Sequence, residues 1–300
     1  MIVILAVIGI LGVSASGPIM AATAASALTI AFWRNAIGAS VMGTHVLISN
    51  RAALKNLTRT ELKFSAIAAA ALALHFACFV TSLKLTSVAA ATALVCLQAA
   101  WIALFQWVRG RRPHRSIMLG LAVALTGVVV ITGFDMGVSP EALLGDALAL
   151  AGGALAAVYT LAGSKARKSM STTLYSSICY GIASVILLAM CLFFDQQLLN
   201  LPTEAWWGIL GVTVAAQIFG HTIFNYLLAT ISPLVVSMMI LLEIPGAAVL
   251  AAIFLREQLP AGTYSGLALI IAGLAVVVLH QGRGGFRPVK SGDQPHLPAQ

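Results

Sequence analysis

The chain has 300 residues, of which 60% are hydrophobic and 9% are charged, and its mean hydropathy is +0.99. These values exclude an ordinary soluble domain and predict an integral membrane protein in a lipid bilayer. The net charge of +8 raises a nucleic-acid partner as an alternative, but the cations form short clusters between apolar runs instead of a basic stripe. Such clusters orient membrane helices, so no nucleic-acid partner is predicted.

Ten apolar stretches divide the chain. A helix that crosses the hydrocarbon core of a bilayer needs about 20 mostly apolar residues, and ten stretches meet this length with only short polar joints between them. They are Ile2–Met20, Ala24–Ile48, Phe64–Leu83, Val88–Val108, Ile117–Phe134, Gly145–Ser164, Thr172–Phe194, Trp206–Ala229, Pro233–Leu255 and Gly262–His280. The sequence therefore predicts an all-α protein of ten transmembrane helices, followed by a disordered tail at residues 282–300 that is rich in Gly, Pro and charge.

The distribution of Lys and Arg predicts the orientation in the membrane. With the C-terminus inside, fourteen of the 17 cations lie in the inner joints and the tail, whereas Lys84 and Arg256 lie in outer joints and Arg34 lies within a span. An excess of cations on the cytoplasmic side is the rule for membrane proteins. We therefore expect a multi-pass protein of the plasma membrane, the inner membrane of a bacterium, with both termini in the cytoplasm.

The two halves of the chain repeat one another. The aligned pairs are Ser87 with Ser232, Gln98 with Glu243 and, after one inserted residue, Gly120 with Gly266 and Gly127 with Gly273. Each half holds five predicted spans, and because five is odd, the second copy must be upside down in the membrane. We predict two inverted five-helix repeats, residues 1–140 and residues 141–281. Inverted repeats are typical of transporters that bind their substrate near the midplane between the repeats.

The second half carries the strongest local pattern, which reads SPLVVSMMILLEIPGAAVLAAIFLREQLPAGTYSGLALIIAGLAVVV from Ser232. A proline, a Glu-x-Pro inside the ninth span, a Glu near its end and a glycine-spaced tenth span follow in order. In these features the chain resembles the EamA-type branch of the drug/metabolite transporter superfamily, and the span count and the duplication extend the resemblance over essentially the whole chain. The first half departs from the pattern, because Gln98 and Ala100 replace the Glu and the Pro.

The resemblance implies a ten-helix carrier for small organic solutes, frequently an exporter of amino acids or related metabolites. We accordingly predict a secondary transporter of a small-molecule substrate, without enzymatic activity, that works by alternating access. An efflux carrier for lipophilic cationic drugs is the first alternative. Glycines such as Gly262 and Gly266 allow close helix packing within one bundle or between two copies, so a homodimer is a further alternative.

Glu243 and Arg34 are the two charges that lie deepest in the predicted spans. A charge at the centre of a membrane helix costs roughly 2.5 kcal/mol or more, so such a residue indicates a functional site by default. Glu243 could bind a cationic group of a substrate, take up a proton coupled to transport, or join helices as a structural acid. Arg34 could pair with Glu243, bind a substrate carboxylate, or extend to the outer interface. Pro245 predicts a helix kink that frees the carbonyl of Leu241.

Other polar and aromatic side chains inside the spans could line a substrate path or join helices by hydrogen bonds and packing. They are His75 in the third span, Gln98 and Trp101 in the fourth, and Gln217, His221 and Asn225 in the eighth. The last three recur at steps of four, which places them on one face of an α-helix. Weaker candidates are Tyr159 in the sixth span and Ser176, Tyr180 and Ser184 in the seventh.

An intramembrane enzyme is the alternative from a different class. A serine protease of this kind would use Ser14, in the run Gly-Val-Ser-Ala, with His75 or His221 as its partner. Motifs of the His-x-x-x-His kind and glycine-rich phosphate loops followed by Lys are absent from the sequence, and the four cysteines lack metal-ligand spacing. We therefore predict neither a metal nor another cofactor.

Overall fold

The computed structural model describes residues 1–49, 51–110, 113–133, 139–257 and 261–284. All regular structure in these ranges is helical, and they contain no β-strand. Seven continuous or interrupted helices within them are long and apolar enough to cross a membrane, and two shorter apolar helices, Arg115–Val130 and Gly262–Gly273, accompany them. The protein is therefore an all-helical membrane protein, whereas a total of ten crossings stays a prediction.

Each of the ten predicted stretches coincides with one helix or with consecutive helices. In chain order these are α1 (Ile2–Ser14), α2 (Ser16–Ala22), α3 (Ala27–Ser49), α4 (Arg51–Lys55), α5 (Arg59–Ser82), α6 (Val88–Val95), α7 (Gln98–Val108), α8 (Arg115–Gly133), α9 (Pro140–Ala166), α10 (Thr172–Phe193), α11 (Thr203–Val212), a π-helix (Thr213–Thr222), α12 (Ile223–Leu227), α13 (Pro233–Ile240), α14 (Glu243–Phe254) and α15 (Ala261–Gly284). The helix α3 is not among the seven candidate spans, because Arg34, Asn35 and His45 lower its mean hydropathy.

Three of the predicted spans are interrupted. The first breaks at Ala15, the fourth at Cys96–Leu97 and the ninth at Leu241–Leu242. At the last two breaks the amides reach back three residues instead of four, from Leu97 to the Leu94 carbonyl at 3.2 Å and from Leu242 to the Met239 carbonyl at 3.2 Å. Such tightened turns are typical of helix ends. Each of these two spans is therefore a pair of short helices that meet inside the membrane.

Serine side chains cap the N-termini of four helices. In each case the hydroxyl accepts a hydrogen bond from the amide three residues further on, at 3.1–3.4 Å. The serines are Ser87 before α6, Ser139 before α9, Ser171 before α10 and Ser232 before α13. A cap of this kind stabilises a helix by about 1 kcal/mol and fixes where it begins. Both interrupted helices, α6/α7 and α13/α14, therefore begin in the same way.

The helices pack as antiparallel pairs, of which α5 with α9, α3 with α10 and α8 with α15 have the most extensive contacts. In the last pair, Gly127 lies against the backbone of Gly266, and Gly273 lies against the backbone of Gly120. A side chain at Gly127 or Gly273 would collide with the facing backbone. The paired numbers run in opposite directions, so α8 and α15 are antiparallel, and glycine is required at their crossing because the two backbones touch.

The end of α15 corrects one predicted boundary. Residues 282–284, which were predicted within the disordered tail, belong to this helix, which ends at Gly284. Glycine weakens a helix but does not stop it, and the first proline beyond the apolar run is Pro288. Residues 285–300, the rest of the predicted tail, lie outside the described residues.

Candidate substrate cavity

A cavity of about 50 Å³ lies where the two interrupted helices meet. Its wall includes Cys96 and Gln98 from the break of α6/α7, and Ile240 and Glu243 from the break of α13/α14. Side chains of α1, α2, α3, α5, α9, the π-helix and α12 complete it. Both halves of the chain therefore contribute to one central space.

Arg34 is the most deeply buried charge of the wall, with 1% of its surface exposed. Its Nε donates to Gln217 Oε1 at 2.9 Å, its Nη1 contacts Met20 Sδ at 3.3 Å, and its guanidinium carbon lies 4.1 Å from the centre of the Phe76 ring. Gln217 is itself fixed, because its Nε2 donates to Asn35 Oδ1 at 3.0 Å. Among the described residues the remaining nitrogen, Nη2, has no hydrogen-bond partner. Arg34 thus brings one unsatisfied buried donor group to the cavity wall.

Glu243 lies in the same wall with 7% of its surface exposed. It is the first residue of α14, where the positive end of the helix dipole favours a negative charge. Ser16 Oγ donates to Glu243 Oε1 at 3.3 Å. Within the described part of the chain no salt bridge joins Glu243 to Arg34, so the direct ion pair, one of the alternatives from sequence, is not formed in this structure.

The break of α13/α14 frees a different carbonyl from the predicted one. The amide of Ile244 donates to the Leu241 carbonyl at 3.2 Å, so Leu241 keeps a partner. The carbonyl of Ile240 is released instead, and Cys96 Sγ contacts it at 3.8 Å. Pro245 lies in the first turn of α14, where a helix tolerates proline because the amide there has no helical partner. The two breaks therefore touch each other directly, through Cys96 and Ile240.

Histidine and aromatic rings form one side of the cavity. His75 Nδ1 donates to the Gly152 carbonyl at 3.0 Å, which fixes the proton on that nitrogen. The ring of His221 meets Phe76 edge-on, with centroids 5.2 Å apart, and Tyr159 at 6.1 Å. His75 therefore joins α5 to α9 by a hydrogen bond, whereas His221 contributes to the wall through ring packing.

Asn225 is the centre of a buried hydrogen-bond network. Its Oδ1 accepts from the Tyr159 hydroxyl at 2.7 Å, and its Nδ2 donates to Ser176 Oγ at 3.3 Å and to the Tyr180 hydroxyl at 3.4 Å. The backbone carbonyl of Asn225 accepts from Arg167 Nε at 2.9 Å. Arg167 directly follows α9, and partial burial lowers the pKa of its guanidinium from the ordinary value. The network ties α9, α10 and α12 together beside the cavity.

The structure brings most of the sequence-predicted residues together. Six line the cavity: Arg34, His75, Gln98, His221, Asn225 and Glu243. Gln217 is next to it and holds Arg34, and it is completely buried. Trp101 lies elsewhere, in an apolar groove that α7 shares with α6, α8 and α9. Residues 213–222 are wound as a π-helix, so the steps of four from Gln217 to Asn225 rotate about the helix axis by a different angle than in an α-helix.

Several residues that line the cavity or support its wall were not found from the sequence. Ser16, the hydrogen-bond donor to Glu243, stands in a run of small residues without a distinguishing pattern, and Phe76 resembles any other apolar position of a span. Asn35 follows Arg34 directly, and two adjacent polar residues inside a span were a signal that could have included it. Tyr159 had been noted only as a weak candidate.

The residues nominated for a protease do not meet. Ser14 is buried against Gly246, and across the described ranges no hydrogen bond joins it to His75 or His221. The same ranges contain no group of three or more His, Cys, Asp or Glu side chains arranged to hold a metal ion. The arrangement present in the cavity is instead one of opposite charges, amides and aromatic rings, which suits binding of a small polar solute.

Comparison with known proteins identifies the family. The profile of the EamA-like transporter family matches residues 1–133 and 143–279. The chain therefore belongs to the EamA-like transporter family, and the resemblance inferred from sequence is confirmed. Together with its apolar helices, this makes the protein a multi-pass membrane transporter.

Individual relatives agree with this assignment. A protein of Archaeoglobus fulgidus described as an uncharacterized transporter is 25% identical over 225 residues, covering 73% of this chain and 77% of the relative. The uncharacterized transporter YwfM of Bacillus subtilis is 27% identical over 271 residues, covering 87% and 88% of the two chains. A solved crystal structure has a TM-score of 0.65 at 19% identity, over 93% of this chain and 97% of that one. Likeness at so low an identity shows a shared fold alone.

Proposed function

We propose that this transporter is a secondary carrier that exports a small zwitterionic metabolite, an amino acid or a close relative. The observation that carries the proposal is the pair of opposite charges in one cavity wall, Arg34 and Glu243, which do not form a salt bridge with each other. A solute with a carboxylate and an ammonium group complements both. Resemblance to the family favours export of such compounds.

The unsatisfied donor of Arg34 gives the proposal its energetic basis. A buried polar group without a partner costs about 1–3 kcal/mol, and the cost is larger for a charged group. A substrate carboxylate that accepts from Nη2 would recover this free energy on binding, with the guanidinium already held by Gln217 and by Phe76. Glu243 would accept from the substrate ammonium in the place that Ser16 now occupies.

Alternating access between inverted repeats is the proposed mechanism. A cavity of about 50 Å³ holds a few water molecules, whereas ligand sites usually measure about 300–1,000 Å³, so loading requires the halves to move apart. The antiparallel crossing of α8 and α15 supports the inversion, because these helices are equivalent in the repeat predicted from the sequence. Exchanging equivalent glycines converts the Gly127–Gly266 contact into the Gly273–Gly120 contact, as a two-fold axis would. Residues 1–140 and 141–281 are the proposed repeats, with five spans each.

The proposed setting is the plasma membrane, with both termini in the cytoplasm. The support is the distribution of cations, of which fourteen of 17 lie in joints or the tail on one predicted side. Lys84, one of the two cations predicted outside, has a structural role, because its Nζ donates to the carbonyls of Ala21 and Thr23 at 3.1 and 2.8 Å. Partial burial lowers the pKa of this ammonium. Its task as a cap for the end of α2 accounts for a cation on that side.

Efflux of lipophilic cations is the less favoured function. Glu243 and the aromatic wall would suit such compounds, but a purely cationic solute would leave Arg34 Nη2 unsatisfied and would face the guanidinium charge. The two functions differ in one chemical group of the solute, the carboxylate. A transport assay can therefore separate them with matched compounds.

The test is counterflow in proteoliposomes that contain the purified full-length protein. Vesicles are loaded in turn with single standard amino acids, and uptake of the same radiolabelled amino acid is measured. For the best substrate, the amine that lacks the carboxylate and the acid that lacks the amine are then offered as competitors. We expect each to compete at least tenfold less well than the amino acid. Counterflow of the amine alone, or of tetraphenylphosphonium but of no amino acid, would contradict the proposal and favour cation efflux.

A further inference from the structure

A depression with two cations opens between α5, α7 and α9, away from the central cavity. This basic pocket is lined by Phe64, Phe105, Arg109 and Lys165 with aliphatic neighbours, and it measures about 250 Å³. Lys165 Nζ lies 4.6 Å from the centre of the Phe64 ring. Both cations are exposed, and in the ranges that the structure describes neither is paired with a carboxylate. The pocket thus combines positive charge with an apolar floor.

An apolar groove adjoins the basic pocket further along α7. It is lined only by hydrophobic side chains, including Trp101, Leu104, Val129 and Leu150, and measures about 390 Å³. Leu104, Val129 and Leu150 expose 44%, 67% and 39% of their surfaces, so the groove faces outward. In a transmembrane protein, an outward apolar groove at the level of the spans is in contact with lipid chains. The groove is therefore a channel along the protein surface that hydrocarbon can fill.

The pocket and the groove adjoin along α7, and the two together are called the path below. Trp101 in the groove and Phe105 in the pocket are one helical turn apart, and their ring centroids are 6.3 Å apart. From Leu97 to Arg109 the chain rises about 18 Å at 1.5 Å per residue. Half of a hydrocarbon core measures about 15 Å. The path therefore runs from the membrane interface, where α7 and α9 end, to the bilayer centre, which is the length of one leaflet.

We propose that this path binds one anionic phospholipid, with its phosphate between Arg109 and Lys165 and one acyl chain along α7 as far as Trp101. Charge complementarity selects the headgroup, because a basic pocket between transmembrane helices attracts a lipid with a net negative charge. A neutral zwitterionic lipid carries its own cation and gains less. A second copy of this chain would bring further cations to the pocket, and like charges at an interface are costly. The site does not depend on the transported solute.

Native mass spectrometry of the purified full-length protein tests the proposal. The protein in detergent is titrated with phosphatidylglycerol or with phosphatidylcholine that has the same acyl chains, and the lipid-bound fraction is counted. We expect tighter binding of phosphatidylglycerol, and a roughly tenfold loss of this preference in the double variant R109Q/K165Q. The matched control is R51Q/K55Q, which removes the same charge from the exposed helix α4 and should keep the preference.

Two further arms distinguish the lipid from other occupants. Soluble glycerol 3-phosphate offers the headgroup chemistry without a chain, and we expect it not to displace the lipid at equal concentration. The variant L104N places a polar group in the groove and should weaken both lipids without changing their ratio. The proposal is overturned if R109Q/K165Q keeps the preference, if the control loses as much, if glycerol 3-phosphate displaces the lipid, or if the protein is a dimer that takes up no lipid.

Discussion

The two interrupted helices have the same construction but different chemistry. Both α6 and α13 have eight residues after a serine cap, and both breaks are two residues long. The second segment then begins with Gln98 in α7 and with Glu243 in α14. Two residues further on, Ala100 stands where the other helix has Pro245. The break is thus present in both halves, whereas the acid and the proline are present in one.

The comparison shows that an interrupted helix of this kind forms without a proline. The chain turns at Cys96–Leu97 without a proline or a glycine nearby, and the turn leaves the Val95 carbonyl against Gly153 of α9. The opposite break leaves the Ile240 carbonyl against Cys96. The Cys96 thiol therefore contacts the carbonyl released at the second break, whereas the carbonyl at the first break packs against a glycine. The feature that separates the halves is therefore the charge of Glu243.

Removing that charge should have the largest effect. We expect Glu243→Gln, which makes α14 begin like α7, to lower substrate flux in proteoliposomes roughly tenfold to hundredfold, because a hydrogen bond to a charged group is worth about 1.5–3 kcal/mol. The matched control is Gln98→Ala at the equivalent position, with a loss of less than about threefold. Equal losses in the two variants would remove the distinction between the halves.

Moving the acid to the other half should not restore transport. In the double variant Gln98→Glu with Glu243→Gln the cavity keeps its charge, but Ser16 remains on the side of α14. We expect flux to stay within about threefold of the Glu243→Gln value, since a buried acid without its partner is costly. Counterflow and thermal unfolding in detergent are measured together. Recovery to half of the wild-type flux would mean that the two breaks are interchangeable.

Equivalent glycines should respond alike. Gly127→Val and Gly273→Val each place a side chain against the facing backbone of α8 or α15, and each should lower the unfolding free energy by about 1–3 kcal/mol. The apparent melting temperature in detergent, followed by tryptophan fluorescence, should fall by a similar amount in both. Gly181→Ala in α10 is the control, because open space surrounds that position. A large fall in only one of the two variants would argue against a two-fold relation.

Replacing the proline should have the smallest effect. Pro245→Ala makes α14 resemble α7, where the break exists with Ala100 in this place. We expect the unfolding free energy to change by less than about 0.5 kcal/mol and flux to change by less than about threefold, because proline in the first turn removes no helical hydrogen bond. The same two assays apply. Strong loss of flux in a normally stable Pro245→Ala protein would give the proline a role of its own.

Much of the helix plan could be predicted from the sequence, because span length and apolar composition are local properties. The break at Ala15 had a local signal, since Gly17 and Pro18 stand in the first turn of α2, but the prediction did not use it. The break at Cys96–Leu97 could not be predicted, since it has no glycine or proline at the turn and depends on partners from distant helices. The π-winding of residues 213–222 was missed for the same reason. Local sequence says that a helix forms, and tertiary contacts decide where it stops.

From the sequence, the candidate site could be predicted only for those residues whose burial in a membrane costs much free energy. Arg34 and Glu243 were found because a charge in a membrane helix is rare and costly, and both line the cavity. Ser16 and Phe76 cost little to bury, so they carry no such signal, although they contact Glu243 and Arg34. Trp101 lies in the apolar groove instead of the cavity, although a spacing of three residues places it near Gln98 on α7.

The π-helix winds more residues into each turn than an α-helix does, so the eighth span holds extra residues within its length. A π-turn closes its hydrogen bond one residue later than an α-turn, and the Thr222 hydroxyl makes a bond of the same reach to the Gln217 carbonyl at 2.9 Å. Rewinding one such turn into α geometry would release a residue and rotate everything beyond it by about 100°. Asn225 would then turn away from Tyr159 while α11 stayed in place. The part of the span after the π-helix would therefore rotate about the helix axis instead of bending away from it.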